Sequence, residues 1–173
     1  MKHALEQHFE RKYARWKNYK NTLPMIGWDE DVSPFMYVGD VNSEGYVQWK
    51  AVEKDEVYDF KQIQDDLQFN LNQDIQNYFN AFWFLELTGK CKGYSIILEP
   101  VVPGIGLGDF RRNLEEYSAN HNHQLIHIPI GFEANGSLVV VHNETGKIFI
   151  EDHEMGSFEE IANRLEELID QLY

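Results

Sequence analysis

The sequence is nearly without cysteine, poor in proline and short of basic residues. It has one Cys, five Pro, and 15 Lys plus Arg against 29 Asp plus Glu in 173 residues. A single thiol, Cys91, cannot close an internal disulfide, so a reducing cytoplasm is the expected setting. Lys90 and Lys92 flank that thiol, yet no Cys–His spacing surrounds it, and it reads as a plain loop or strand-start cysteine. Long apolar runs are missing too. Stretches such as Phe82–Leu85 and Leu138–Val141 are far too short to span a bilayer. The opening MKHALEQHFERKYARW carries no apolar run of the kind a secretory signal needs. Without such a signal, Asn135-Gly136-Ser137 and Asn143-Glu144-Thr145 read as turns and not as glycosylation acceptors.

What is present is negative charge with an uneven distribution. The whole chain is −14, but residues 1–22 hold Lys2, Arg11, Lys12, Arg15, Lys17 and Lys20 against Glu6 and Glu10. That segment is therefore +4 and the remainder −18. An acidic body repels nucleic acid and anionic lipid and attracts basic protein surfaces. The composition, 43% hydrophobic with 14% aromatic, is that of a globular chain able to bury a core without metal or disulfide staples.

The patterning predicts an α+β fold: an antiparallel sheet of about five to six strands with helices packed on it. A helix is expected over 2–20, where Leu5, Phe9, Tyr13, Trp16 and Tyr19 recur at three- and four-residue steps. Residues 25–34 read as a loop, and Phe35–Val38 with Tyr46–Val52 as a hairpin. A long core helix is expected over Asp65–Leu87, with Gly89 as its C-cap. Tyr94–Leu98 reads as a buried strand and Asp109–Ala119 as a short helix. Leu125–Phe132, Leu138–His142 and Lys147–Glu151 read as a meander whose turns are Asn135-Gly136 and Asn143–Gly146. Ser157-x-x-Glu160 has the form of a capping box opening a final helix over Phe158–Leu172. Two units are expected: a basic amphipathic helix over 1–22 and a single domain over 23–173.

Few constellations carry chemistry. Gly104-x-Gly106-x-Gly108 lacks the G-x-G-x-x-G spacing and is followed by Asp109, so it reads as a turn. Gly-x-Ser-x-Gly does not occur. His121, His123 and His127 form a local cluster that could serve a metal-dependent hydrolase, with Glu99 or His142 as a further ligand; the plain reading is polar loop histidines and one strand histidine. No catalytic residue, metal ligand or cofactor is assigned. Arg111-Arg112 is the one basic pair of the body, bracketed by Asp109, Glu115 and Glu116, which favours internal ion pairs. Trp28, Tyr37, Tyr46 and Trp49 lie near Asp29-Glu30-Asp31 in sequence. Aromatics beside carboxylates can receive Lys or Arg side chains, while Trp49 and Tyr37 could equally be core residues of the hairpin.

Several segments in order resemble one family. They are Gly45–Lys50 (GYVQWK), Tyr78-Phe79-x3-Trp83-Phe84, Gly108–Arg112 (GDFRR), Leu125–Phe132 with Pro129, and Val140–Ile148 (VVHNETGKI). The chain resembles Syd, the SecY-interacting family, within the SUKH superfamily of Smi1/Knr4-like and toxin-immunity proteins. The resemblance is drawn over residues 20–173, with the basic N-terminal helix and the Pro103–Gly108 loop read as particular to this chain. It implies a non-catalytic module with an acidic concave surface that binds a basic protein, as Syd proteins bind cytoplasmic loops of SecY. An immunity protein neutralising a cognate toxin is the alternative. The expected partner-binding residues are Trp28, Asp29, Glu30, Asp31, Trp49, Asp109, Arg111 and Arg112. The expected location is the cytoplasm, with peripheral association at the inner face of the membrane through the partner.

Overall fold

The computed structural model describes residues 1–173 and has an α+β architecture. Its main sheet has six strands, all antiparallel: β6 (Leu87–Cys91), β7 (Tyr94–Leu98), β8 (His127–Glu133), β9 (Leu138–His142), β10 (Ile148–Asp152) and β11 (Ser157–Ala162). Spatial order follows chain order from β6 to β11, so every neighbour in the sheet is a neighbour in sequence. The only long excursion is between β7 and β8, where α4 (Gly106–Asn120) leaves the sheet and returns beside β8. The turns behave as their residues require: Gly136 and Gly146 sit at φ 100 and 75, a region open to glycine.

Two smaller sheets lie before it. β1 (Met25–Gly27), β2 (Tyr37–Val38) and β3 (Tyr46–Trp49) form a three-stranded sheet in the order β1-β3-β2. β4 (Val52–Glu53) pairs with β5 (Phe82–Trp83). The expected hairpin is present as β2–β3; the loop expected over 25–34 begins instead with β1, whose Met25 lies opposite Gln48.

The long helix expected over 65–87 does not form. Its place is taken by α2 (Lys61–Leu67), α3 (Gln73–Phe79) and the strands β5 and β6. The apolar rhythm is real, since Leu71, Ile75 and Phe79 are all buried. Asparagines interrupt it. α2 stops at Gln68 in the left-handed region, and Asn72 caps α3 by accepting from the Asp74 N–H at 2.9 Å. Asn143, from the β9–β10 turn, accepts from the Asn72 N–H at 2.9 Å and donates to the Asn70 carbonyl at 2.7 Å, fixing the break. The aromatic block that follows is a buried strand; a short apolar run has the same appearance in either structure. Gly89 is no cap: it lies in β6, where a Cβ would meet that of Leu172 at 2.8 Å.

The final helix is shorter than expected. Residues 157–162 form the edge strand β11, and α5 covers Leu165–Gln171. The capping box is not used: Glu160 instead pairs with Lys147 at 2.8 Å, and Glu159 accepts from the Tyr94 hydroxyl at 2.7 Å. Pairing with the open edge of β10 outweighs local helix propensity here.

α1 (Lys2–Lys20) is the longest helix. Leu5 and Phe9 belong to the same buried cluster as Trp49, Phe79, Phe84 and the sheet residues Ile128 and Val139. Phe9 touches Trp49 edge-on at 6.2 Å and Phe84 at 5.4 Å. Tyr13 accepts from the Ala51 N–H at 2.6 Å, Lys12 pairs with Glu86 at 2.6 Å, and Arg11 donates to the Ile169 and Asp170 carbonyls near the end of α5. The rest of its basic residues face outward.

Candidate functional site

The Asp29-Glu30-Asp31 loop is held by its neighbours and leaves its carboxylates without a cationic partner. Trp28 donates its N–H to the Gly45 carbonyl at 2.9 Å, carrying the β1–β3 ladder one step further. Asp29 donates to the Tyr37 hydroxyl at 3.1 Å, and the Asp31 N–H bonds the Asp29 Oδ1 at 2.9 Å in an Asx turn. All three acids are exposed, and none of them enters an ion pair. Trp28, Phe35 and Tyr46, on the segments that frame the loop, are about half exposed.

The other expected residues are placed differently. Trp49 is fully buried and offers no surface to a partner. The cation over its ring, at 5.3 Å, is the protein's own Lys12. Arg111 is shared between Glu115 at 2.7 Å and Asp66 at 2.9 Å, and Arg112 pairs with Asp109 at 2.7 Å. The Glu115 and Asp109 pairs lie within α4 and follow from the bracketing acids; the Asp66 pair, which only the fold supplies, joins α4 to α2. They are well exposed, so water and salt screen them and their contribution to stability is small.

A cleft of about 390 Å³ opens between α4 and the β8–β9 side of the sheet. Its walls carry Glu99, Asn113, Glu116, Tyr117, His121 and Phe132. A bulge in β8, between Pro129 and Gly131, shapes the floor. Glycine is required at 131, because a Cβ there would lie 2.3 Å from the Ile97 carbonyl oxygen. Burial, then the nearby Asp109, raises the pKa of Glu99, whose carboxylate accepts from Asn113 at 3.0 Å. Behind the wall, Glu151 is buried and accepts from the Tyr117 hydroxyl at 2.8 Å. Burial and that bond push the Tyr117 hydroxyl well above its ordinary pKa. Lys or Arg is absent from the cleft lining.

The three histidines close in sequence do not form one ligand set. His127 stacks on Phe158 at 4.4 Å and meets His142 at 5.1 Å; burial, then His142, lowers its pKa. His123 lies with His142 at a separate hollow beside Leu67 and Phe69. His121 alone reaches the cleft, where it joins Glu151 and His153. Sequence reasoning missed those two. Glu151-x-His153 at a strand end was the available signal, since alternate residues of a strand share a face.

An antiparallel meander faced by helices, with a carboxylate-lined cleft and an unpaired acidic loop, makes an α+β scaffold. The family model described as Syd protein (SUKH-2) matches residues 2–102, more than half of the chain. The chain belongs to the Syd family. The match includes the basic helix α1, which is therefore a family element and not an addition of this chain; it stops before the Gly108–Arg112 and Val140–Ile148 segments. No curated protein matches the chain. No helix is long and apolar enough to cross a membrane.

Proposed function

We propose that this protein is a binding module that performs no turnover and captures a basic polypeptide, the cytoplasmic loops of SecY, on its acidic surface. One observation carries the reading: Asp29, Glu30 and Asp31 stand exposed and without cationic partners on a loop that also presents Trp28. Most acids of this −14 chain enter no ion pair; what marks this run is three consecutive exposed carboxylates beside an exposed indole. An unmatched run beside an aromatic ring suits incoming Lys or Arg, which gain ion pairing and ring contact together. The acidic cleft wall of Glu99 and Glu116 gives a second place for positive charge. Arg111 contributes by tying α4 to Asp66 of α2, and the Asp109–Arg112 pair by bracing one turn of α4, more than by direct contact.

On this reading the protein works in the cytoplasm and reaches the membrane only through its partner. Sedimentation with SecY-containing membranes tests it. Binding at low salt that is lost at high salt supports the proposal. Equal sedimentation with membranes depleted of SecY would overturn it, and binding instead to a basic toxin would select the immunity alternative.

A further inference from the structure

We infer that His121, Glu151 and His153 form a site for one divalent transition-metal ion of the zinc class at the lip of the cleft. His121 closes the C-terminal end of α4, Glu151 lies in β10, and His153 follows in the β10–β11 turn. Their donor atoms lie within 4.8 Å of one another.

The hydrogen bonds of His121 are the starting point. Its Nδ1 lies 2.8 Å from the Tyr117 carbonyl oxygen, and its Nε2 lies 2.7 Å from Glu151 Oε1. Both neighbours are acceptors, but a neutral imidazole carries a single N–H. The geometry is satisfied by additional positive charge between Nε2 and the carboxylate, as a proton or as a metal ion. Glu151 is only 2% exposed, and no Lys or Arg pairs with it.

His153 favours the metal. An ion pair needs two partners, whereas a third donor beside them serves a coordination shell. His153 is exposed and makes no hydrogen bond of its own, and its ring lies 5.8 Å from that of His121. The surrounding bonds already have the arrangement that supports ligands. Nδ1–H donating to the Tyr117 carbonyl directs Nε2 to the ion, and the Tyr117 hydroxyl holds Glu151 Oε2, leaving Oε1 to coordinate.

Two histidines and one carboxylate, with a fourth position open, is a familiar zinc donor set. Zinc ligand distances of about 2.0–2.2 Å set tetrahedral donor separations near 3.4 Å, so uptake widens the His121–Glu151 contact by about 0.7 Å. The fourth position opens on the cleft, where it takes water or a donor side chain from a bound polypeptide.

Calorimetric titration of the 173-residue chain with Zn2+ alone tests the site, with Co2+ absorption as a report of tetrahedral geometry. One ion per chain is expected. His153→Ala should weaken affinity by about tenfold or more, since even outer-sphere changes cost 10–100-fold. Its side chain is exposed, so folding is retained; Glu151→Gln, at a buried position, should remove binding as well. His123→Ala should leave affinity unchanged. The assignment is overturned if wild type takes up no ion saturably, if His153→Ala binds as wild type does, or if His123→Ala loses as much.

Discussion

Replacing His8 by leucine isolates a titration that folding suppresses. His8 sits on the inner face of α1, 5% exposed, and neither ring nitrogen has a hydrogen-bond partner. Burial, then Lys12, Arg11 and Arg15 around it, lower its pKa from 6.5 to about 4; Glu86 opposes them weakly. The folded protein therefore holds His8 neutral where the unfolded chain protonates it. With a lowered folded pKa, this group's stability contribution is intact above the unfolded pKa and is lost as pH falls from 6.5 toward 4. The full loss is about 3 kcal/mol, at about 1.4 kcal/mol for each pH unit separating the folded and unfolded pKa. Between about pH 7.5 and about pH 5 it is about 2 kcal/mol. Leucine has a similar volume and does not titrate. In urea unfolding, the stability gap between His8→Leu and wild type should widen in the variant's favour by about 2 kcal/mol over that interval. Other titrating groups are common to both proteins and cancel in the difference. A gap that stays constant across the interval would refute the assignment of His8 as a buried, neutral ring.

Gly131→Ala should cost about 3 kcal/mol or more, because the new methyl group collides with the Ile97 carbonyl, a backbone atom unable to move aside. Thermal melts would show it, and a wild-type transition would disprove the close β7–β8 approach. Phe79→Ala, at a fully buried ring 4.6 Å from Phe110, should cost about 3–5 kcal/mol in chemical denaturation. A loss under about 1 kcal/mol would contradict its central place in the core. Trp28→Ala, at a half-exposed ring, should leave stability unchanged and weaken partner binding. Unaltered affinity would remove Trp28 from the binding surface.

The elements that sequence made legible are those with strong punctuation. Asn135-Gly136 and Asn143–Gly146 fixed both turns of the β8–β9–β10 meander, because few residues other than glycine take those positive φ values. The repeat of Leu5 and Phe9 marked the buried side of α1, and Asp109–Ala119 fell inside α4. Residues 65–87 were misread because Leu71, Ile75 and Phe79 are all buried at helical spacing although Leu71 precedes α3, while the break at Gln68–Asn72 depends on Asn143, seventy-one residues away from Asn72. No local signal records that bond. β11 was hidden for a related reason: its partner is the edge of β10, and its own residues, Ser157 to Glu160, are exposed and resemble a helix start.

The candidate site was partly legible. The acidic run at 29–31 is visible as composition, and the pairing of Arg111 and Arg112 follows from their acidic brackets. Trp49 shows the limit of sequence proximity. It lies at the end of β3 away from the acidic loop, beside Pro24, and strand alternation points it inward onto Phe9. The His121–Glu151 contact joins the end of a helix to a strand thirty residues later, so only the fold brings it together.

The most direct test of the acidic-surface account is the affinity of Asp29→Lys/Glu30→Lys/Asp31→Lys for SecY-containing membranes, beside wild type, across a salt series. These residues are exposed and free of ion pairs, and the one side-chain bond lost is the Asx turn at Asp29, so the triple variant should fold with little loss of stability. The account predicts weak binding by the variant at low salt, and wild-type binding that fades toward about 1 M salt, where screening acts within about 3 Å. Equal affinity of the two proteins at low salt would contradict it.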